Sequence, residues 1–137
     1  MKYMLDTDIC SYAIKKPNLL RKHFHKIHAG DIAISSITWA ELNTWIMMSS
    51  NPENRQLSLQ KMFAPITILP FTQMDAGFHG SIRKNLKEQG RIIGALDMLI
   101  AAHALARGLI IVTNNIEHFS RIDGLKIENW VDKSATI

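Results

Sequence analysis

Oxygen-bearing side chains follow apolar runs, or sit near predicted helix starts, at widely separated points of the chain. They include carboxylates and amides but no cysteine or histidine pair at ligand spacing, and such donors suit Mg²⁺ or Mn²⁺. The pattern DTD at positions 6–8 is equally compatible with a phosphoryl-accepting aspartate or with a helix cap. The candidates are Asp6, Asp8, Glu41, Asp97, Asn114 and Asn115.

Short apolar runs alternate with helical patterns and must position these side chains. We predict strands at 3–5, 32–35, 66–69 and 109–112, with a last short strand near 126–127. We predict the main helices at 8–16, 18–28, 36–48, 51–63, 72–89 and 94–107. Strands that are apolar on both faces indicate an α/β fold with a parallel sheet covered on both sides. Because ligands bind beyond the carboxyl ends of such strands, the candidates should share one crevice.

Size and composition favour a single domain over residues 1–137, with a net charge of +4. That mild basic excess permits a phosphate-bearing partner without requiring one. The single cysteine, Cys10, leaves no intramolecular disulfide, so we expect a reducing compartment. The start of the chain does not read as a signal peptide, and no run of about 18 apolar residues occurs. We therefore expect a cytoplasmic protein without a membrane span.

The surroundings of Asp97 are the strongest single indication of a cation. The residue is flanked by IIGAL and MLIAA, which predict a buried helix. A lone carboxylate there is costly unless it takes up a proton. A metal ion or a cationic partner would remove that cost. The alternative is a helix-start carboxylate bonded to backbone amides.

The other candidates also have purely structural interpretations. Glu41 fits a capping box with Thr38, whereas a cap at Ser36 would leave Glu41 facing outward from the end of the sheet. Asn115 taken alone favours an N-cap for a short helix over 116–119, and Asp6 could cap the first helix. The set as a whole favours a metal site more strongly than any one member does.

Two family resemblances compete for this pattern. A strand followed by DTD resembles the first motif of haloacid-dehalogenase-type phosphatases, and Val112-Thr113-Asn114 resembles their second. That family also needs a downstream lysine and then an acidic pair after another strand. Residues 116–137 contain two lysines but no acidic pair, and the phosphatase interpretation leaves Asp97 unexplained.

The other resemblance covers nearly the whole chain. The segments MLDTDIC, AISSITWAEL, IGALDMLIAAHALARG and LIIVTNNIEHFSRIDGLKIENW resemble PIN-domain ribonucleases, above all the VapC-type toxins of bacterial toxin–antitoxin pairs. The resemblance implies a three-layer α/β/α domain with a mostly parallel sheet of four to five strands. It implies a Mg²⁺- or Mn²⁺-dependent endoribonuclease that cuts structured RNA such as tRNA. It also implies a homodimer that forms a larger hetero-oligomer with a VapB-type antitoxin.

The resemblance also implies roles for individual residues. The family's acidic positions fall on Asp6, Glu41 and Asp97, which would hold the metal. Its fourth position, often Asp, falls on the pair 114–115, and Asn115 is the preferred match. With Asn115 a carboxylate is missing, so the alternative is a non-cleaving module that binds RNA or a partner. The side chains expected to orient the ligands are Thr113, Asp8 and Asn114.

Two basic groups are candidate contacts for an RNA backbone. Residues 15–28 carry five Lys or Arg and no acid, and a second group precedes Asp97. The alternative is a solvated helix face. We expect His23, His25 and His28 at the surface rather than in a metal site, and His103 packed within its helix. The candidate RNA contacts are Lys15, Lys16, Arg83, Lys84 and Lys87.

Overall fold

The computed structural model describes residues 1–135 and contains one five-stranded parallel sheet. Residues 136 and 137, part of the domain predicted over 1–137, lie outside the described residues. The order β3-β2-β1-β4-β5 places β1 at the centre, with Tyr3 opposite Ile32 on one side and Ile110 on the other. The predicted α/β class with a parallel sheet is confirmed. The strands are β1 (Tyr3–Leu5), β2 (Ile32–Ser35), β3 (Thr67–Leu69), β4 (Ile110–Val112) and β5 (Ile127–Glu128).

Helices cover both faces of this sheet, and each face has its own apolar core. Tyr3 and Leu5 face a cluster built with α1, α3 and α4, while Met4 faces a cluster built with α5, α6 and α7. Within residues 1–135, no helix is long and apolar enough to span a membrane. The helices are α1 (Thr7–Lys15), α2 (Arg21–Phe24), α3 (Ser36–Met47), α4 (Pro52–Phe63), α5 (Gln73–Glu88), α6 (Ala95–Arg107) and α7 (Ile116–Phe119).

The continuous helix predicted over 18–28 is wrong. The segment consists of a 3₁₀ turn at Pro17–Leu19, the short α2 and a second 3₁₀ turn at Ala29–Asp31. Residues 21–28 contain three Lys or Arg, three His and no acid, so no pair of opposite charges four residues apart supports a longer helix. The buried Leu19 and Leu20 instead hold the first turn against the core.

A buried ionic group joins α5 to α6. The Oδ2 atom of Asp75 accepts hydrogen bonds from the Thr72 backbone N–H at 2.7 Å and from its hydroxyl at 2.9 Å, which caps α5. Arg107 donates to both carboxylate oxygens of Asp75 at 3.1 Å. Burial by itself raises the pKa of Asp75, but the bonds from Arg107 and Thr72 outweigh it and lower that pKa to about 2.

The same group reaches the end of β2 through His103. The His103 side chain is fully buried, as expected. Its Nε2 atom lies 3.5 Å from Asp75 Oδ2, and its Nδ1 atom lies 2.8 Å from the Ser35 hydroxyl. Ser35 in turn accepts the Ile37 N–H at 3.0 Å and so caps α3. The helix that carries Glu41 therefore begins at a residue bonded to the buried histidine.

We expect Asp75→Ala to lower the free energy of unfolding at pH 7 by about 3 kcal/mol, because it leaves Arg107 and the cap of α5 without their partner. Urea denaturation measures this free energy. The control is Asp123→Asn, which alters an exposed carboxylate and should change the free energy of unfolding by less than about 0.5 kcal/mol. A loss below about 1 kcal/mol for Asp75→Ala would show that the bonds of Asp75 to Arg107 and Thr72 do not stabilise the fold.

The same carboxylate predicts a pH dependence. Because the pKa of Asp75 is lower in the folded protein than its ordinary 3.8, its stabilisation is full above about pH 4. That stabilisation disappears as the pH falls toward 2. Urea midpoints of the wild type and Asp75→Ala should therefore converge on acidification between these values. A difference that stays constant would show that the Asp75 charge does not stabilise the fold.

Candidate functional site

Asp6 ends β1 and begins α1. Its backbone N–H donates to the Val112 carbonyl at 3.0 Å, and its Oδ1 accepts the Ile9 N–H at 2.8 Å. The cap interpretation of Asp6 is therefore confirmed, and the carboxylate is only 2% exposed. A cap needs one oxygen, so capping alone does not occupy the whole carboxylate.

Thr113 connects Asp6 to the residues after β4. The fully buried threonine donates its hydroxyl to the Asp6 carboxylate and accepts the Asn115 N–H at 2.9 Å. The register that pairs Leu5 with Val112 brings Thr113 beside Asp6, because each residue is the next one beyond its strand. Thr113 thus restricts the Asp6 carboxylate through a hydrogen bond, while its role in orienting a metal ligand stays a prediction.

Glu41 faces α1 rather than the start of its own helix. Ser35 caps α3, so the capping-box interpretation of Glu41 is wrong. The alternative of an earlier cap in the pair Ser35-Ser36 is confirmed, at Ser35 and not at Ser36. The Thr7 hydroxyl donates to Glu41 Oε1 at 2.6 Å and lies 3.3 Å from the Thr38 hydroxyl. This contact ties α3 to the first turn of α1.

Asp97 lies in the first turn of α6 and is half-buried. No hydrogen bond from residues 1–135 reaches its carboxylate, so the alternative of a carboxylate bonded to backbone amides is wrong. Asp97 lines an open cleft of about 380 Å³. The residues around this cleft are Thr7, Asp8, Glu41, Gly94, Ala95, Leu96 and Asp97.

Burial and neighbouring negative charge raise the pKa of Asp6 and of Asp97. Burial is the main reason that the pKa of Asp6 rises to about 7, and the charges of Asp8 and Asp97 add to it. Burial also raises the pKa of Asp97, followed by the charges of Asp8 and Glu41. The charge of Asp8 therefore raises the pKa of both Asp6 and Asp97. The protein groups around the cleft do not fully neutralise this negative charge.

The donor chemistry fits a hard divalent cation, because the cleft offers carboxylate and hydroxyl oxygens and excess negative charge. Among residues 1–135, however, no three His, Cys, Asp or Glu side chains are already arranged to hold a metal ion. Asp6 is bonded to Ile9 and Glu41 to Thr7. An ion would therefore be bound by rearranging side chains, not in a preformed cage.

The two asparagines after Thr113 have different surroundings. Asn114 is exposed; its Nδ2 lies 3.5 Å from the Tyr12 hydroxyl, and its Oδ1 accepts from Asn129 at 3.1 Å. Asn115 is the N-cap residue of α7, as predicted, but its side chain makes no capping hydrogen bond. Its Nδ2 lies 2.8 Å from His118 Nδ1.

Two side chains of this region were not predicted from the sequence, Thr7 and His118. Thr7 was not considered, although a hydroxyl between two candidate aspartates is a visible signal. His118 was also missed, although it follows Asn115 by three residues, the spacing at which side chains meet on one face of a helix. Each bonds directly to a candidate residue, Glu41 and Asn115 respectively.

The candidate RNA contacts lie outside the residues that line the cleft. The Lys15 ammonium sits over the Trp45 ring at 4.6 Å. The other candidates are exposed, and they are Lys16, Arg83, Lys84 and Lys87.

The clustered histidines form no metal site within residues 1–135. His25 is exposed, His23 stacks on Trp130 with ring centres 5.7 Å apart, and His28 accepts the Gly30 N–H at 3.0 Å. The three histidines therefore have separate surroundings, and His23, expected at the surface, is instead partly buried against Trp130.

The fold and the cleft identify the class of protein. The family model of the PIN domain matches residues 3–125, which include the sheet up to β4 and all the candidate site residues. The chain therefore belongs to the PIN-domain family, and the resemblance to phosphatases is set aside.

Relatives narrow the family further. The tRNA(fMet)-specific endonuclease VapC of Shigella flexneri is 41% identical over 131 residues, which cover 95% of this chain and 98% of that protein. Among solved structures, VapBC2 of Rickettsia felis bound to promoter DNA matches with a TM-score of 0.88 at 40% identity, covering 95% of this chain and 99% of the other. DNA-bound VapBC of Salmonella typhimurium matches with a TM-score of 0.90 at 35% identity, and the match covers 95% of this chain and 98% of the other. Within the PIN-domain family, this chain belongs with the VapC ribonucleases.

We expect Asp6→Asn to stabilise the metal-free protein at pH 8. Because the pKa of Asp6 is about 7 in the folded state and ordinarily 3.8, folding loses stability as the pH rises through this interval. Asparagine removes the charge and keeps an oxygen for the Ile9 N–H. In chelator, the melting temperature should rise by about 5 °C at pH 8 and little at pH 5.

Asp123→Asn is the matched control, because it removes an exposed carboxylate and should change neither melting temperature. An equal change for Asp6→Asn at both pH values, or a lower melting temperature at pH 8, would show that Asp6 is not a destabilised charge.

Proposed function

We propose that this chain is a Mg²⁺- or Mn²⁺-dependent endoribonuclease that cuts tRNA and acts as the toxin of a toxin–antitoxin pair. The observation that carries the proposal is the cleft at which Glu41 and Asp97 lie beside Asp8, next to the buried Asp6. The chain is also 41% identical, over nearly its full length, to a protein named as a tRNA(fMet)-specific endonuclease.

Electrostatics supports the requirement for a cation. An RNA phosphate is negative, and the carboxylates at the cleft already raise the pKa of Asp6 and Asp97. A phosphate brought to this cleft without a cation would meet repulsion from every carboxylate there. We propose Asp6, Glu41 and Asp97 as the residues that hold the ion. Such an ion would neutralise the cleft and polarise the phosphate to be cut.

The chain's own hydroxyls would prepare these carboxylates. Thr113 bonds to Asp6, and Thr7 bonds to Glu41. Both bonds restrict carboxylates that must converge on an ion, as outer partners of metal ligands do. Asn115 supplies no charge at the family's fourth position, so the proposal requires only one tightly held ion.

The proposed partner is a VapB-type antitoxin. The related structures are of VapBC complexes, and this chain has a homologous fold. Met47, Met48 and Leu57 are 70%, 83% and 66% exposed on α3, just after it and on α4, an apolar surface that a protein partner would cover. We further propose that the toxin is a homodimer within a larger hetero-oligomer.

A second candidate function is a non-cleaving module that binds RNA or a partner. It is favoured by the lack of a preformed metal site within residues 1–135 and by the uncharged Asn115. The two candidates differ in whether RNA is cut when Mg²⁺ is supplied.

We expect the purified chain to cut initiator tRNA in Mg²⁺ or Mn²⁺ and to stop when the ion is chelated. Asp6→Asn and Asp97→Asn should each lower the rate at least 100-fold, because each removes a charge that holds the ion. Asp123→Asn should cut at the wild-type rate. The assay is gel analysis of end-labelled tRNA.

Cleavage that persists in chelator, or in both Asp6→Asn and Asp97→Asn, would contradict the proposed site. Folded wild type that binds tRNA or a partner without cutting RNA in either ion would establish the non-cleaving module instead.

We expect Arg83, Lys84 and Lys87 to contact the RNA backbone. Replacing all three with Gln should reduce the slope of log affinity against log salt by roughly 2, since each phosphate contact contributes about 0.7 to 0.9. Fluorescence anisotropy with labelled tRNA measures the slope. A control with the same loss of charge replaces the exposed residues Lys61, Lys126 and Lys133 with Gln. Equal slopes for the two triple variants would show that net charge, not this group, governs binding.

A further inference from the structure

His118 belongs to the carboxylate site through a continuous chain of hydrogen bonds. Thr113 donates to Asp6 and accepts the Asn115 N–H at 2.9 Å, and the Asn115 amide contacts His118 Nδ1 at 2.8 Å. Independently, His118 is close enough to act electrostatically on Asp97. The imidazole therefore lies near Asp97 and is linked to Asp6 only through Asn115 and Thr113.

The contact with Asn115 defines which ring nitrogen of His118 carries the proton. The Asn115 amide nitrogen can only donate, so Nδ1 of a neutral ring must accept. The proton then resides on Nε2, on the other side of the ring. Nε2 makes no hydrogen bond with residues 1–135, and the ring is half-buried. The site thus contains a positioned N–H donor without a protein acceptor.

The side chain of His118 is not needed to hold α7 in place. Phe119 is fully buried, and the Ser120 N–H donates to the Ile116 carbonyl at 2.8 Å. Arg121, on the next turn, is occupied by the Arg91 carbonyl at 3.4 Å and by Glu117 at 3.6 Å. His118 is therefore a donor that neither the local fold nor a neighbouring ion pair uses.

We propose that His118 Nε2–H donates a hydrogen bond to a phosphate oxygen of RNA bound at the cleft, and that Asn115 positions the ring for it. The inference rests on the proposed function, since it takes RNA as the ligand of this cleft. Among acidic side chains that repel phosphate, an N–H donor supplies a direct attractive contact without needing an ion. Asn115 then acts through His118 as a positioning residue.

Binding of initiator tRNA in an Asp6→Asn background with Mg²⁺ tests the contact without cleavage. His118→Phe keeps a ring but no donor and should weaken binding at least tenfold. His118→Gln keeps an N–H and should stay within about threefold. His79→Phe, at a half-buried histidine on α5, is the matched control and should leave binding unchanged.

The outcomes separate this inference from the proposed function. If the wild type fails to cut RNA but the order of affinities holds, the nuclease proposal fails and the phosphate contact stands. If His118→Phe binds as the background does, or if His118→Gln is as weak as His118→Phe, the contact is overturned. Absence of tRNA binding by the folded background overturns it as well.

Long-range ¹H–¹⁵N NMR correlation gives a readout that a purely structural role would not move. At pH 8 the wild-type protein should show His118 protonated on Nε2, and added tRNA should shift that nitrogen. The His118→Phe spectrum, which lacks this signal, assigns it. A proton on Nδ1, or an Nε2 signal that tRNA leaves unchanged, would overturn the proposal even if a variant failed to fold.

Discussion

Negative charge collected at one end of a parallel sheet is the constraint on which the rest of the site depends. β1 is buried on both faces, so Asp6, the next residue, is enclosed by Thr113 and the first turn of α1. Asp97 and Asp8 raise its pKa further from outside. Water cannot solvate a carboxylate so deeply buried, and residues 1–135 supply it with hydrogen bonds but with no cation at short range. The fold thus maintains a charge that a divalent ion would stabilise.

The elements that could be predicted from sequence are those in which local pattern and tertiary environment agree. β1 and β2 were predicted residue for residue, because each is apolar on both faces, as central strands of a parallel sheet must be. The end of α6 at Gly108 was also predicted, and its φ of 67° is a conformation that suits glycine. The continuous helix predicted over 18–28 was wrong. Helical periodicity is present there, but the like charges of the segment and the burial of Leu19 and Leu20 interrupt the helix.

The carboxylates of the site could be predicted from the sequence, whereas the side chains that bond to them could be predicted less well. Asp6 and Asp97 could be placed from their position after a strand and within an apolar helix. The bond between Thr7 and Glu41 joins residues 34 apart, and it depends on the rotation of α3 about its axis, which periodicity does not define closely enough. The burial of His103 was expected, but its contact with Asp75 and the ion pair of Asp75 with Arg107 were not predicted, since polar residues on an amphipathic pattern are usually interpreted as solvated.

Titration of the Asp6 carboxyl carbon by ¹³C NMR tests most directly whether this cleft holds destabilised charge that a divalent ion relieves. In chelator the apparent pKa should be about 7. With saturating Mg²⁺ it should fall below roughly 5, because the ion favours the ionised form. A pKa close to 3.8 without the ion, or a raised pKa that Mg²⁺ leaves unchanged, would contradict the central role of Asp6 in binding it.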